Sequence, residues 1–347
     1  DVLGSRGLGD VYKRQAYDNL KLEKGLYTTG KSFTQALEAL DPSENYVGTE
    51  LEGLDAYQRQ LKRFNIKVSG FDSDCVAKFF TTSDSAALFP EYISRAVRQG
   101  IDSNNTVDKI VATTTTIDSL DYRSVETVTS MDDKMLAFVG EGAKIPETVI
   151  KTKDKLTPLH KRGRMLVASY EAVKFQKLDL FTVTLKQIGA QIARSQFFDA
   201  FEAINDSNCP KYTLAGENYT YSNLVDYWCS FNPYRLTTLI GGKTSILQLL
   251  NMNEFKDAAA GLKFHAMGDM ITPFGAEIVH CRELDESPIM LGLDKNCAVE
   301  KVQAGGVSTD FDKLIDRQLE RASISTITGF SAVSYTHLRA HETLRHL

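Results

Sequence analysis

Residues Leu178–Ile204 read LDLFTVTLKQIGAQIARSQFFDAFEAI, and their spacing decides the architecture. Apolar side chains fall at Phe181, Leu185, Ile188, Ile192, Phe198, Phe201 and Ile204, which form one face of an α-helix. No proline interrupts the run, and Gly189 is its one glycine. At 1.5 Å per residue the stretch predicts a helix roughly 40 Å long, enough to serve as the spine of a whole lobe.

The chain changes character just before this helix. KMLAFVG (134–140) and HKRGRMLVAS (160–169) predict the two arms of a long hairpin over Lys134–Ala168. Between them AKIPETVIKTKDKLTP (143–158) is polar and basic and cannot bury itself. Lys144–Arg164 carries seven basic and two acidic residues, a formal +5. Downstream, Glu283–Glu320 carries nine acidic and four basic residues, a formal −5. Complementary patches of that kind set register and partner choice between subunits. A run of charge is also what any solvated face looks like.

Outward from the hairpin, residues 16–48 predict an extended arm with one short helix near Ser32–Leu40, capped by Ser32. Leu54, Tyr57, Leu61 and Phe64 make a helical stripe over Leu54–Ile66. A second helix is expected at Ser73–Phe80, and a third at Phe89–Gln99, entered through Pro90 and stopped by Gly100. Thr, Val and Ile predict strands in Val107–Tyr122. Beyond the long helix, 209–232 reads as loop, and Lys243–Met252 and Asn253–Ala260 as helices. Pro288–Glu300 reads as strand, turn, strand, and Val307–Ile327 as charged strand. DVLGSRGLGDVYKRQ (1–15) and SYTHLRAHETLRHL (334–347) follow no period and resemble translated sequencing-adapter sequence. Both are expected to lie outside the fold. The native start is expected as a Met just before Ala16, with further native residues beyond Val333.

Composition narrows the function. The chain has 347 residues, 42% hydrophobic and 24% charged, which excludes a disordered chain. No apolar run is long enough for a membrane-spanning helix. A net charge of −5 argues against sequence-independent DNA coating. Five scattered cysteines with no C-x-x-C pair argue against a disulfide framework or zinc ribbon and for a reducing compartment.

The motifs for chemistry are weak. GGKT (241–244) mimics part of a phosphate-binding loop, but the glycine needed six positions before Lys243 is Thr237. A helix start or a turn is the plainer reading. His160, His265 and His280 have no zinc-type spacing, and His337, His341 and His346 lie in the excluded tail. His280 and Cys281 are adjacent, so in a strand they face opposite ways. No catalytic residue, cofactor or metal ligand is therefore assigned.

Longer stretches carry a resemblance. LDAYQRQLKRFNIKVSG (54–70), FPEYISRAVRQG (89–100), VGEGAKIPE (139–147), MLVASYEAV (165–173), LGLDKNCAVE (291–300) and DFDKLIDRQLERASISTITGF (310–330) stand in the same order as in a family. The chain resembles the major capsid proteins of tailed bacteriophages, which have the Hong Kong 97-type fold. The resemblance covers nearly all of 16–333. It implies an α+β subunit with N-terminal arm and helices (16–106), peripheral-lobe strands (107–133), extended loop (134–168), spine helix (169–210), axial lobe (211–300) and late strands returning to that lobe (301–333). It implies a non-enzymatic, self-assembling icosahedral shell of hexamers and pentamers, enclosing double-stranded DNA without sequence-specific binding and without a membrane. Portal, scaffold and maturation-protease partners would follow, with assembly in the bacterial host cytoplasm and residence in the virion.

The contact candidates implied between subunits are Lys151, Lys153, Lys155, Lys161, Arg162, Arg164, Asp310 and Asp312. Some such capsids join Lys to Asn covalently. Here Asp310 stands at the acceptor position, which argues against a cross-link. Two other readings remain at this point. One is an encapsulin-type nanocompartment shell of the same fold, which would lack the phage-type stretches above. The other is a cytosolic α/β enzyme using Lys243 at a phosphate, which would need a concave pocket around GGKT.

Overall fold

Ser32 opens the first helix with a capping box. Its hydroxyl accepts from the Gln35 N–H, and the Gln35 side chain accepts from the Ser32 N–H. The helix (α1, Phe33–Leu40) thus starts where the sequence predicts. The structure is a computed structural model and describes residues 18–23, 32–127, 138–145, 147, 149–206, 211–213, 219–232, 234–256, 270–287, 289–314, 319–333 and 338–342. The further helices are α2 (Ala56–Arg63), α3 (Ser83–Ala86), α4 (Phe89–Ser103), α5 (Tyr170–Phe175), α6 (Leu178–Asn205), α7 (Tyr221–Cys229), α8 (Lys243–Leu250) and α9 (Asn253–Lys256). The strands are β1 (Thr113–Ile117), β2 (Val125–Thr127), β3 (Ile150–Thr152), β4 (Leu159–Ser169), β5 (Lys211–Thr213), β6 (Thr238–Gly241), β7 (Glu277–His280), β8 (Met290–Leu293), β9 (Val299–Ala304), β10 (Ser308–Leu314), β11 (Leu319–Ala332) and β12 (Leu338–Glu342).

The chain divides into two compact units. The first takes residues up to 104, 162–192 and 306–326, and the second takes 105–161, 193–305 and 327 onward. Helix α6 and strand β11 each give their first part to the first unit and the remainder to the second.

In the first unit, α4 packs on the first half of α6. Contrary to the expected stop, α4 runs through Gly100 to Ser103. Gly100 is kept for contact. A Cβ there would sit 2.3 Å from the Lys186 carbonyl oxygen, and one at Gly189 2.1 Å from that of Val97. The two helices touch backbone to backbone at this crossing. Beside it Phe79, Phe89, Tyr92 and Phe181 form a ring cluster with centroids 5.4 to 6.3 Å apart. The Tyr92 hydroxyl lies 2.7 Å from the Leu178 carbonyl and 2.6 Å from Thr182 Oγ1, and burial pushes its pKa up to about 12. The expected helix at Ser73–Phe80 is shorter, a 3₁₀ turn over Val76–Phe80. Arg95 ties three helices, meeting Asp55 at 2.8 Å, Glu91 at 3.1 Å and Thr34 at 2.7 Å.

In the second unit the main sheet runs β5-β12-β8-β6-β7. Strands β6 (TLIG) and β8 (MLGL) are buried at every position, so both faces of the sheet are covered. Period-2 alternation then splits the side chains. Ile240, Val279, Leu291 and Leu293 meet Phe197, Ala200, Phe201 and Ile204 of α6. Leu239, Ile278 and Met290 meet Leu224 and Tyr227 of α7 and Ile246 and Leu249 of α8. The buried stripe of α6 passes through Phe197 (4% exposed), with the predicted Phe198 only partly buried.

Three further expectations are corrected. Helix α7 lies where loop was expected, because Thr220 caps it and Leu224 and Tyr227 have a core to enter. The return arm is strand β4, as expected, but β4 pairs with β11, and the ladder within the loop joins β2 to β3. Of the forward arm KMLAFVG, residues 134–137 lie outside the described residues and 138–140 are not strand. Leu338–Glu342, expected outside the fold, is a strand between β5 and β8. That place is held by main-chain hydrogen bonds, which any extended segment can supply. The segment 1–15 lies outside the described residues.

Candidate functional site

The loop between β1 and β4 is anchored at one carboxylate. Glu300 sits in VEKV (299–302) of β9, between Val299 and Lys301, and is 5% exposed. It accepts from Thr115 Oγ1 at 2.5 Å, Tyr122 Oη at 2.6 Å and Ser124 Oγ at 2.5 Å. Burial alone would raise its pKa. The three hydroxyls and the charge of Lys153 outweigh burial and hold the carboxyl below its ordinary value. The Lys153 ammonium donates to Ser331 Oγ at 3.1 Å and to the Ala332 carbonyl on β11. Backbone bonds from Lys153 N–H to Ser124 O and from Thr157 N–H to Tyr122 O, both 2.8 Å, close the root.

Away from this root the loop is uncovered. Phe138 is fully exposed, and Ile145 (71%) and Ile150 (68%) are largely so. Lys151, Lys155, Lys161 and Arg164 are exposed, and Arg162 is half-buried. Lys153 is half-buried and engaged within its own unit. Asp310 and Asp312 are exposed on β10 of the first unit, with Asp312 Oδ2 2.9 Å from Arg321 Nη2.

Several charges of 283–320 are engaged within the subunit, and Lys301 is buried along with Glu300 and Asp294. Glu300 is buried in its hydroxyl cage. Asp294 is buried and accepts from the Arg235 and Asn296 N–H groups. Asp285 lies 2.6 Å from His280 Nε2 and accepts from the Lys243 N–H at 2.8 Å. Its pKa is lowered, first by the His280 hydrogen bond and then by the Lys243 N–H.

That last contact bears on GGKT. Helix α8 does start there, but Asp285 already occupies its N-terminus. A Cβ at Gly242 would sit 1.8 Å from the Leu284 carbonyl oxygen, so the backbone is packed where a phosphate would have to approach. Cys281 is buried beside exposed His280, and its thiol is pushed up to about 12, first by burial and then by Glu283. Among the described residues no group of three His, Cys, Asp or Glu side chains is placed to hold a metal, and no helix is long and apolar enough to cross a membrane.

Reasoning from sequence missed Glu300 and its partners Thr115, Tyr122 and Ser124. The available signal was a Glu-Lys pair between valines in a strand, since a charge buried there must be paired.

No family model matches the sequence, and no curated protein matches it. Solved structures do. The capsid of the native GTA particle aligns at 12% identity, over 68% of this chain and 89% of that one, with a TM-score of 0.50. The capsid of the empty GTA particle aligns at 10% identity, over 70% and 90%, also at 0.50. The chain has the Hong Kong 97-type capsid fold.

Proposed function

We propose that this chain is the major capsid, or head, protein of a tailed bacteriophage or prophage, assembling with copies of itself into an icosahedral shell around double-stranded DNA. The fold shared with capsids along nearly their whole length carries this reading. The loop supports it. A root fixed by Glu300 and Lys153 presents Phe138, Ile145 and Ile150 to solvent, and these side chains lose water only against another molecule. On this reading the copies form hexamers and pentamers through contacts whose rotations close. Lys151, Lys155, Lys161, Arg162 and Arg164 steer the loop onto a neighbour, with Asp310 and Asp312 as candidate acceptors. The protein turns over no substrate and grips no DNA sequence. Portal, scaffold and maturation protease are its expected partners, the host cytoplasm its place of assembly and the virion its destination.

The test is particle size. The full chain, expressed alone and with a candidate scaffold protein, is examined by velocity sedimentation and negative-stain microscopy. Closed shells or hexameric and pentameric rings are expected. A stable monomer or dimer under both conditions would overturn the assignment.

A further inference from the structure

The second unit carries a pocket of about 410 Å³ at the C-terminal end of α7. Trp228 and Asn232 line it from that end, Tyr234, Arg235 and Thr237 from the segment leading into β6, and Phe274 from the turn before β7. Its volume lies within the range of small-molecule sites. The walls are held from behind. Arg235 N–H donates to Asp294 Oδ2 at 3.1 Å, Thr237 N–H to the Leu293 carbonyl at 3.1 Å, and Gly275 N–H to the Thr272 carbonyl at 2.9 Å. The Trp228 and Phe274 rings stack with centroids 5.9 Å apart, and Tyr221 lies 6.0 Å from Phe274 on the same measure.

The polar groups of the lining are unengaged. Among the described residues, neither the Trp228 indole N–H nor the Arg235 guanidinium has a hydrogen-bond partner, and both side chains are exposed. Both groups can only donate. The Asn232 side-chain amide, donor and acceptor at once, is exposed and equally free. Arg235 is the one charged residue among the described lining residues. The carboxylates close to it in the fold are already engaged. Asp294 accepts from main-chain N–H groups, and Glu277 is paired with Lys109. Exposed Asp226 of α7 does not line the pocket. Lys295, whose N–H donates to Thr237 Oγ1 at 2.7 Å, adds a second exposed cation beside the lining.

An aromatic wall with unengaged donors and a net positive charge selects a planar ring that carries an anion. A nucleotide has both parts. Bases stack on aromatic side chains whatever their sequence. A guanidinium takes two phosphate oxygens in its fork. An asparagine amide pairs with the donor–acceptor edge of adenine, which a plain aromatic acid lacks.

We propose that this pocket binds a nucleotide, its base against Trp228 and its phosphate on Arg235. The chemistry is the same for a free nucleotide and for an unpaired nucleotide of a DNA strand. The inference goes beyond the shell-forming reading and does not rest on it.

Trp228 is the only tryptophan of the chain, so its fluorescence reports on this pocket alone. The full chain is titrated with adenosine monophosphate, adenosine, inorganic phosphate and a single-stranded oligodeoxyadenylate. Saturable quenching by adenosine monophosphate is expected. Affinity should fall about tenfold with adenosine, which lacks the phosphate, and about tenfold in Arg235→Gln. Arg194→Gln, at an exposed arginine of α6 outside the lining, should leave affinity unchanged. Equilibrium dialysis gives a second readout, in which Trp228→Ala should lose the nucleotide while its melting temperature stays the same. An oligonucleotide that binds more tightly than the monophosphate, through Arg235, assigns the pocket to a DNA strand. One that binds no more tightly assigns it to the free nucleotide. No saturable binding of either, or equal affinity in Arg235→Gln and the unaltered chain, would overturn the proposal. Inorganic phosphate binding as tightly as the monophosphate would overturn the role of the base. Particle size is measured separately, so failure here leaves the shell reading standing.

Discussion

Arg59 shows how one side chain can hold a unit together. Its side chain is fully buried. Nε lies 2.9 Å from Asp41 Oδ2, Nη1 bonds Ser43 Oγ at 2.9 Å and the Leu54 carbonyl at 2.7 Å, and the guanidinium stacks 4.4 Å over the Tyr46 ring. Asp41 is equally hidden and also accepts from Tyr46 Oη at 2.6 Å. Arg59→Met removes the positive partner and leaves a buried carboxylate, so a loss of about 3–5 kcal/mol is expected in urea unfolding. Adding Asp41→Asn should restore part of it, because the uncompensated charge is then gone. Glu300 is the second such residue. Its folded pKa lies below the ordinary value of a glutamate carboxyl, so its contribution is present above that ordinary value and is lost as pH falls through the folded value. Glu300→Gln should flatten this acid limb, read as melting temperature against pH below about 4.5. An unchanged limb would mean that other carboxylates set it.

At the scale of the element, the crossing of α4 and α6 sets two effects against each other. Gly189→Ala gains up to about 1 kcal/mol of helix propensity. The new Cβ would lie 2.1 Å from a backbone oxygen that cannot swing away. Overpacking of that kind costs ~1–3 kcal/mol, so the variant should melt lower despite the better helix former. Gly306→Ala is the control, since its Cβ would meet nothing within 4 Å. The loop root offers another test. Lys153→Met cuts the ties to Ser331 and Ala332 while leaving the Glu300 cage. Limited proteolysis between β1 and β4 should then speed up severalfold, with little change in global unfolding, because local opening needs less free energy than global unfolding.

At the scale of the whole molecule, assembly should depend on charge. Reversing exposed Lys151, Lys155, Lys161 and Arg164 to Glu should abolish shells and leave the subunit folded, measured by sedimentation and circular dichroism. Lys153 is left out because its ties are internal. Salt should weaken assembly of the unaltered chain, since exposed pairs are screened over ~8 Å at physiological ionic strength. Shells of normal yield from the reversed variant would remove the electrostatic account and leave the apolar contacts of the loop.

What could be read along the chain was whatever depends on near neighbours. The Ser32 cap, the stripe of α6, the start of α8 after Gly242 and the strand-turn-strand at 290–304 all follow from spacing within a dozen residues, and the structure has them. The α+β class and the capsid-type order of elements came from such stretches in series. Tertiary structure alone decided the rest. Gly100 reads as a helix stop until Lys186 is seen against it, 86 positions away in the chain. The stretch 221–229 reads as loop until a sheet face needs covering. Glu300 counts as one more negative charge until Ser124, Thr115 and Tyr122 close around it. The pocket at Trp228 exists only because the end of α7 and the turn at Phe274 are brought side by side. Propensity and periodicity act through local backbone sterics, whereas burial, pairing and close approach depend on residues far apart in sequence that only folding brings together.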